Sequence, residues 1–476
     1  MSTAQNLAST RIASLLDANS FVEIGGQITA RNTDFNLSAQ KTPSDGVITG
    51  YGLIDGNLVY VYSQDVSVLK GTIGEMHAKK IANIYALAMK TGAPVIGLID
   101  CAGIRLQEAT DALNGFGQIY MSQTMASGVV PQITGIFGTC GGGMAMIPAL
   151  TDFTFMEEKK AKLFVNAPNT LEGNRAEVCD TASAAFQSEA GLVDFVGSEE
   201  EIFAQMRALV CMLPGNNEDN DSYEECSDDL NRVCADLANC AGDTSIALSR
   251  IADNHVFFET KKDYAKSMVT GFIRLNGMTV GCVANRSEIY DENGAKVESF
   301  NGEMSAAGAK KAAEFVSFCD AFSVPVLTLV NVKGFKATKD SEKHMAKTVG
   351  KLIYAYADAT VPKVSVIVGQ AYGSAYLAMN SKSIGADIVY AWPTAEIGMM
   401  DADMAAKIMY PNADAAEINE KAAEYATLQS SVLSAARRGY VDTIIEPEDT
   451  RKYVIGAFEM LFTKREDRPG KKHGTV

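Results

Sequence analysis

A duplicated α/β fold follows from three features of this 476-residue sequence. Continuous apolar strands alternate with amphipathic helices, the pattern that a covered, largely parallel sheet requires. The pattern occurs twice in the same order, and an acidic, asparagine-rich stretch separates the two occurrences. Length agrees with this, because a single hydrophobic core rarely extends so far and two domains of about 200 residues each are the natural division.

Each copy begins with a strand pair about a turn, Gly50 to Ser63 and Gly271 to Asn285, where "GYGLIDGNLVYV" matches "GFIRLNGMTVGC" at an offset of 221. A helix follows, with Ile73, Met76, Ile81, Ile84 and Leu87 on or near one face. It runs into a short buried strand, "VIGLID" or "VLTLVN". Across helix and strand, "AKKIANIYALAMKTGAPVIGLID" from Ala78 matches "AKKAAEFVSFCDAFSVPVLTLVN" from Ala309, with Pro94 and Pro325 in register at 231. A second helix, Gln107 to Ser127 or Ser341 to Ala359, leads to "QITGIF" or "KVSVIV". Here Pro131 and Pro362, and Gly138 and Gly369, keep the offset of 231. "AGLVD" ending at Asp194 and "RGYVD" ending at Asp442 close the copies at 248. Between them, Pro214 to Asn231 reads as a linker or an exposed helix start, which places the domains at 1–225 and 226–476.

The composition, 47% hydrophobic and 21% charged, is that of a globular protein. A net charge of −16 argues against nucleic acid as a partner and leaves neutral ligands, or anions met at a local basic or backbone-amide site. Nine cysteines without a C-x-x-C pair, no metal-ligand spacing and an N-terminus without an apolar run predict reduced thiols, no metal centre and a cytoplasmic location. Ala112 to Thr151 carries no charged side chain, yet its glycines, prolines and polar residues fit burial between two layers better than a membrane span.

In both copies the strand after the second helix ends in a small-residue turn, "GTCGGGMA" or "GQAYGSAY", and a helix follows. This places backbone N–H groups at a helix start beyond the carboxyl end of a parallel strand. Such amides stabilise negative charge, and glycine lets a ligand oxygen approach the backbone, so each turn is a candidate oxyanion hole. Taken alone, Gly141 to Gly143 read as readily as glycines required for positive φ or close packing. Recurrence of the turn at one position of both copies favours the functional reading. Neither turn is a G-x-G-x-x-G or a P-loop.

Further pieces carry a specific resemblance: "LLDANSFVEIG", "DGVITGYGLIDG", "EMHAKKI", "GAPVIGLIDCAGIRLQE", "PALTDFTFM", "FCDAFSVPVLTL", "ATVPKVSVIVGQAYGSAYLAMNSK", "GADIVYAWPTAEI" and the tail "KREDRPGKKHG". In these the sequence resembles, over nearly its whole length, the carboxyltransferase family of biotin-dependent acyl-CoA carboxylases and decarboxylases. That family includes the propionyl-CoA carboxylase β chain and the methylmalonyl-CoA decarboxylase α chain. The resemblance implies tandem crotonase-like domains, an acyl-CoA side in the first and a biotin side in the second. It implies transfer of a carboxyl group between biotin, held on a separate carrier protein, and the α-carbon of a short-chain acyl-CoA. Two oxygens become anionic in that transfer. By family position the amides of Gly142 and Gly143 face the thioester oxygen, and those of Ser374 and Ala375 the biotin oxygen. The same resemblance implies a homodimer or trimer of dimers, with a biotin carboxylase or a membrane decarboxylase subunit as a further partner.

Three positions depart from the family pattern. Ser374 stands for a usual glycine, and Leu377 for an acidic residue tied to acyl choice. Lys333 replaces a proline ahead of the shortened loop "KATKDSEKHMAK". His77, His344, Asp65 and Asp100 read as structural before catalytic. The pairs Lys79-Lys80 and Lys310-Lys311 read as solvated helix faces, and Trp392 and the 20 methionines as core and interface. Two other functions compete: a crotonase-type hydratase or isomerase, and a noncatalytic acyl-CoA-binding scaffold. The first would want a carboxylate pair near the hole, and none precedes Asp152 in "TCGGGMAMIPALTDF". The second has no use for the small-residue turn kept in both copies.

Overall fold

The computed structural model describes residues 7–33, 35, 37–174, 179–219, 223–470 and 474. It divides into two compact units, Met1–Ser222 and Tyr223–Val476, three residues earlier than the division read from the sequence. Residues 220–222 of the expected linker and 471–473 of the C-terminal tail motif lie outside the described residues. Among the described residues of 214–231 no helix starts. Asn216 Oδ1 instead accepts the backbone N–H groups of Glu218 and Asp219, the side-chain competition that makes Asn and Asp turn formers.

In the first unit β1 (Val22–Glu23), β2 (Val47–Ile54) and β3 (Asn57–Gln64) are antiparallel. The sheet continues in parallel through β4 (Val95–Cys101), β5 (Gln132–Gly141) and β6 (Phe153–Glu157). β7 (Lys162–Phe164) pairs with the end of β5, and β8 (Phe195–Gly197) with β6. The helices that cover this sheet include α1 (Glu75–Thr91) and α2 (Ala109–Ala126). α1 ends at Gly92, whose φ of 66° is the left-handed cap that glycine adopts without strain. It buries Ile81, Ile84, Tyr85 and Ala88, and each such large side chain stabilises by about 1.5–3 kcal/mol. Ile73, expected on the helix, precedes it and bridges to Ile104. The two helices approach closely because Gly115 of α2 faces Ala78, where a Cβ would come within 2.8 Å. The uncharged stretch from Ala112 to Thr151 forms most of α2, all of β5 and the turn after it. No described helix is long and apolar enough to cross a membrane.

The second unit repeats the plan. β9 (Phe257–Thr260), β10 (Met268–Leu275) and β11 (Met278–Asn285) are antiparallel. A hairpin of β12 (Glu288–Tyr290) and β13 (Lys296–Ser299) comes next, then β14 (Glu303–Met304) and helix α3 (Ala306–Ala321). β15 (Val326–Val332) pairs in parallel with β11, and β16 (Gly334–Phe335) with β14. After α4 (Lys339–Asp358), β17 (Lys363–Tyr372) pairs in parallel with β15, β18 (Ile388–Ala391) and β19 (Glu396–Gly398); β20 (Thr443–Ile444) pairs with β18. The hairpin accounts for the change of offset from 221 to 231, because it adds chain between the strand pair and the helix of the second unit only.

Hydrogen bonds fix the register of the repeat. Arg105 N–H donates to Ile73 O at 2.9 Å, and Lys336 N–H to Met304 O at 2.8 Å, 231 residues on in both donor and acceptor. Asp100 N–H donates to Gln64 Oε1 at 3.3 Å and Asn331 N–H to Asn285 Oδ1 at 3.2 Å. Both side chains then press on a glycine of the next strand. A Cβ on Gly138 would lie 2.0 Å from Asp100 Oδ1, and one on Gly369 2.5 Å from Asn331 Oδ1.

The reading of the paired lysines as solvated holds for half of each pair. Lys79 and Lys310 are exposed, whereas Lys80 and Lys311 are buried at 3% and 1% exposure. Lys80 Nζ donates to Ser44 O at 2.9 Å, to Val47 O at 2.5 Å and to Ser44 Oγ. Lys311 Nζ donates to Lys261 O and Tyr264 O at 2.8 and 3.0 Å. In each unit the lysine ties α1 or α3 to the loop ahead of the strand pair, satisfying carbonyls that no strand takes up. Burial lowers the Lys80 pKa to about 8.

Candidate functional site

The three glycines of "GTCGGGM" meet three different demands. A Cβ on Gly141 would lie 2.5 Å from the Phe164 ring, so that β7 can pair with the end of β5. Gly142 has φ +63° with nothing within 4 Å of a built Cβ, so its need is conformational and its face is open. Gly143 lies under Tyr120, whose hydroxyl donates to Gly143 O at 2.7 Å. Gly142–Ala145 is a tight helical turn, so its first amides have no carbonyl one turn back to bond. Cys140 beside it is fully buried and burial pushes its thiol well above the ordinary range, which leaves it unreactive.

The second turn has the same backbone. Gly373 has φ +61°, and a Cβ there would lie 3.1 Å from Met399 O. By the offset of 231 Gly373 corresponds to Gly142, and Ser374 to Gly143. The amide pairs implied by the family resemblance, Gly142 with Gly143 and Ser374 with Ala375, therefore stand one residue apart in the repeat. Helix α5 (Gly373–Ala378) follows, with Ser374 and Leu377 exposed and Ala375 buried. Ser374 and Leu377 line a cavity of about 880 Å³ with Tyr376, Ile397, Met399 and Tyr410. Its outer wall comes from helices α6 (Ala402–Met409) and α7 (Ala415–Tyr425). Tyr372, directly before the turn, hydrogen-bonds through its hydroxyl to Glu396, and burial followed by that carboxylate raises its pKa. This bond ties the turn to β19. Burial raises Tyr376 to about 12, so its ring meets the cavity as a neutral phenol.

The residues read as structural have structural partners. His77 is fully buried, its Nδ1 2.9 Å from Asp45 O and its Nε2 3.2 Å from Gln64 Nε2. Burial and then Arg105 hold its pKa well below the ordinary value, so it is neutral. Asp65 Oδ1 accepts from Ser67 N and Oγ. Asp100 is paired with Arg11 at 3.1 Å. His344 is exposed and lines a second cavity, remote in sequence from either turn. Trp392 is buried and donates to Thr450 Oγ1 at 3.0 Å, whereas Met399, Met404 and Met409 are exposed near α6. Among the described residues no group of His, Cys, Asp or Glu could hold a metal ion.

Sequence reading missed Tyr120, Tyr372 and Glu396, since a tyrosine or glutamate beside a glycine turn carries no pattern of its own. It also missed a buried cluster in which Arg105 Nη1 contacts Asp45 at 2.5 Å and Glu108 at 2.8 Å, all three side chains at 0% exposure. Burial raises the Asp45 pKa against the opposing pull of Arg105.

Comparison with known proteins places the chain in context. A family model described as the carboxyl transferase domain matches residues 2–476. The methylmalonyl-CoA decarboxylase subunit alpha of Veillonella parvula is 39% identical, covering 98% of this chain and 92% of that protein. The propionyl-CoA carboxylase beta chain of Roseobacter denitrificans is 40% identical, covering 98% and 93%. A solved transcarboxylase 12S, described as a hexamer assembly with hydrolysed methylmalonyl-coenzyme A bound, superposes with a TM-score of 0.92 at 37% identity, covering 98% of this chain and 92% of that one.

Proposed function

Because the chain belongs to the carboxyl transferase domain family, we propose that its two glycine turns are paired oxyanion sites for moving a carboxyl group between biotin and the α-carbon of an acyl-CoA. The enzyme is an acyl-CoA carboxyltransferase of the biotin-dependent class. The observation that carries the site assignment is the recurrence of one backbone, a positive-φ glycine at a parallel strand end, at Gly142 and Gly373. Carboxyl transfer to or from the α-carbon passes through an enolate, and the amides of Gly142 and Gly143 stabilise its oxygen. A preorganised amide pair of this kind contributes about 2.7–4 kcal/mol per donor. Tyr120 holds the carbonyl of Gly143 and so steadies the turn that carries the pair.

Biotin fits the second unit on two counts. The cavity at Ser374 is about 880 Å³, within the range of small-ligand sites, and Ile397 and Met399 give it the apolar wall a fused ring and aliphatic tail need. When bound, biotin supplies a ring nitrogen that carries the carboxyl group, and it arrives on a separate carrier protein. Ser374 and Ala375 hold the ureido oxygen through their amides, while Tyr372 and Glu396 keep the turn in place. No side-chain base is needed at either turn, and His77 is sealed away from both. Self-association into a dimer or trimer of dimers accords with the hexamer described for transcarboxylase 12S, and a biotin carboxylase or membrane decarboxylase subunit is the further partner of this reading.

The test is a panel of malonyl-, methylmalonyl- and glutaconyl-CoA assayed with free biotin and with a biotinylated carrier domain. Biotin-dependent loss of the carboxyl group from at least one of them is expected. Turnover that is independent of biotin, or hydration of crotonyl-CoA in its place, would refute the assignment.

A further inference from the structure

A second cavity of the second unit has a volume of about 720 Å³ and shares no lining residue with the cavity at Ser374. Lys266, Lys310 and Lys336 line it, with Glu303 and Asp340 as the acidic contribution. Lys266 lies 3.3 Å from Glu298 and Lys310 3.7 Å from Glu314, while no salt bridge is recorded for Lys336 among the described residues. In a chain of net charge −16, three lysines against two carboxylates give this hollow a locally positive lining.

The internal repeat tells what occupies this place in the other unit. Because β2 and β10 start at Val47 and Met268, Lys266 stands at the position of Asp45. The matched bonds of Arg105 and Lys336 put Lys336 at Arg105, and therefore Lys339 at Glu108. In the first unit these positions form the buried cluster, and its carboxylates also cover the start of α1. Glu108 Oε2 accepts the N–H of Glu75 at 2.6 Å, and Asp45 Oδ2 that of His77 at 2.8 Å. In the second unit both carboxylates are replaced by lysine and the arginine by lysine; Lys266 and Lys336 line the cavity, and Lys339 is exposed outside its lining. Of the two corresponding amides, Gly308 N–H goes to Ser305 Oγ at 3.0 Å. Ala306, at the start of α3, lines the cavity.

We propose that this cavity binds a phosphate-bearing small molecule of nucleotide size, whose anionic oxygens stand where the first unit holds Asp45 and Glu108. Three lysines against two carboxylates, Glu303 and Asp340, leave the lining one cation in excess, so the ligand is an anion with acceptors in several directions, which a phosphate group supplies. The volume exceeds that of inorganic phosphate and lies in the small-ligand range, and Tyr264 and Phe300 bring aromatic rings to the lining for a planar ring. The cavity shares no lining residue with the one at Ser374 and is tested without an acyl-CoA.

The experiment is calorimetric titration of the full chain with ADP, inorganic phosphate and adenosine. ADP is expected to bind, phosphate to bind more weakly and compete with it, and adenosine to give no heat. The triple variant Lys266→Asp, Lys336→Arg, Lys339→Glu writes the first unit's cluster into the second. It should weaken ADP binding by at least about tenfold and raise the melting temperature of the free protein. Lys336→Glu, a single change at an exposed side chain, should weaken ADP binding in the same direction and serves if the triple variant does not fold. Absence of heat with both ADP and phosphate, binding of adenosine equal to that of ADP, or ADP binding undiminished in these variants would overturn the proposal.

Discussion

Replacing Gly142 by valine separates conformational from steric need at the first turn. A Cβ built on Gly142 meets no heavy atom within 4 Å, so the larger side chain has room. The φ of +63° is what valine cannot hold, at a cost of about 1–3 kcal/mol. The chain relieves that strain by rotating the peptide that carries the Gly143 amide, and loss of one oxyanion donor lowers kcat by about 10²–10³. On the proposed assignment, in which the amide holds the thioester oxygen and not the acyl chain, acetyl-CoA and propionyl-CoA should lose turnover alike. Gly56 is the control: it sits in the β2–β3 turn at φ +83°, also with nothing within 4 Å, so Gly56→Val imposes similar strain away from the turn. Steady-state kinetics on both acyl-CoAs, beside thermal melts of both variants, make the comparison. Gly142→Val retaining kcat within about threefold, at a melting temperature shift equal to that of Gly56→Val, would refute the assignment of these amides to the oxyanion.

Leu377→Asp puts a charge where an apolar side chain lines the cavity, and should change the ratio of acetyl-CoA to propionyl-CoA turnover by up to about tenfold, read as kcat/KM for each. An unchanged ratio would remove Leu377 from acyl choice. Lys80→Met keeps the length of the side chain but leaves the carbonyls of Ser44 and Val47 without their donor, so urea unfolding should show a loss of about 1–3 kcal/mol. Burial, and next to it Asp194, holds the Asp152 pKa up to about 7, while Gln132 N–H pulls it down. A carboxyl whose folded pKa is raised contributes stability that is present below its unfolded pKa of about 4 and fades as pH rises through 7. Asp152→Asn should therefore flatten the fall of melting temperature between pH 4 and pH 7, and an unaltered pH profile would show that this carboxyl does not titrate there.

The duplication was legible because it is written in residues whose role is local. Pro94 and Pro325 precede buried strands, and Gly138 and Gly369 receive a side chain from the neighbouring strand. The glycine turns were legible for the same reason. Lys80 and Lys311 were not, because a charged residue on an amphipathic helix reads as exposed until the loop carbonyls that hold it are in place. The cluster of Asp45, Arg105 and Glu108 joins residues 60 apart in sequence, and nothing in the spacing of these three announces an ion pair. The outer wall of the cavity at Ser374, built by α6 and α7, follows β19 with no helix pair matched to it in the sequence repeat, so self-similarity offered no guide to it.

The contact of Asp100 with Gly138, and of Asn331 with Gly369, bears on how the two halves drifted apart. The carboxylate of the first half requires Arg11 at 3.1 Å, and that arginine also stacks over Phe137 at 4.9 Å. The carboxamide of the second half is satisfied by the Gln370 N–H and the Ala241 carbonyl. Each half thus carries its own counterpart for the residue at this matched position. Moving Asp100 into the second half without Arg11 would strand a charge against a glycine that has no room to yield. The two matched strand ends are therefore not interchangeable, each being tuned to a partner found only in its own half.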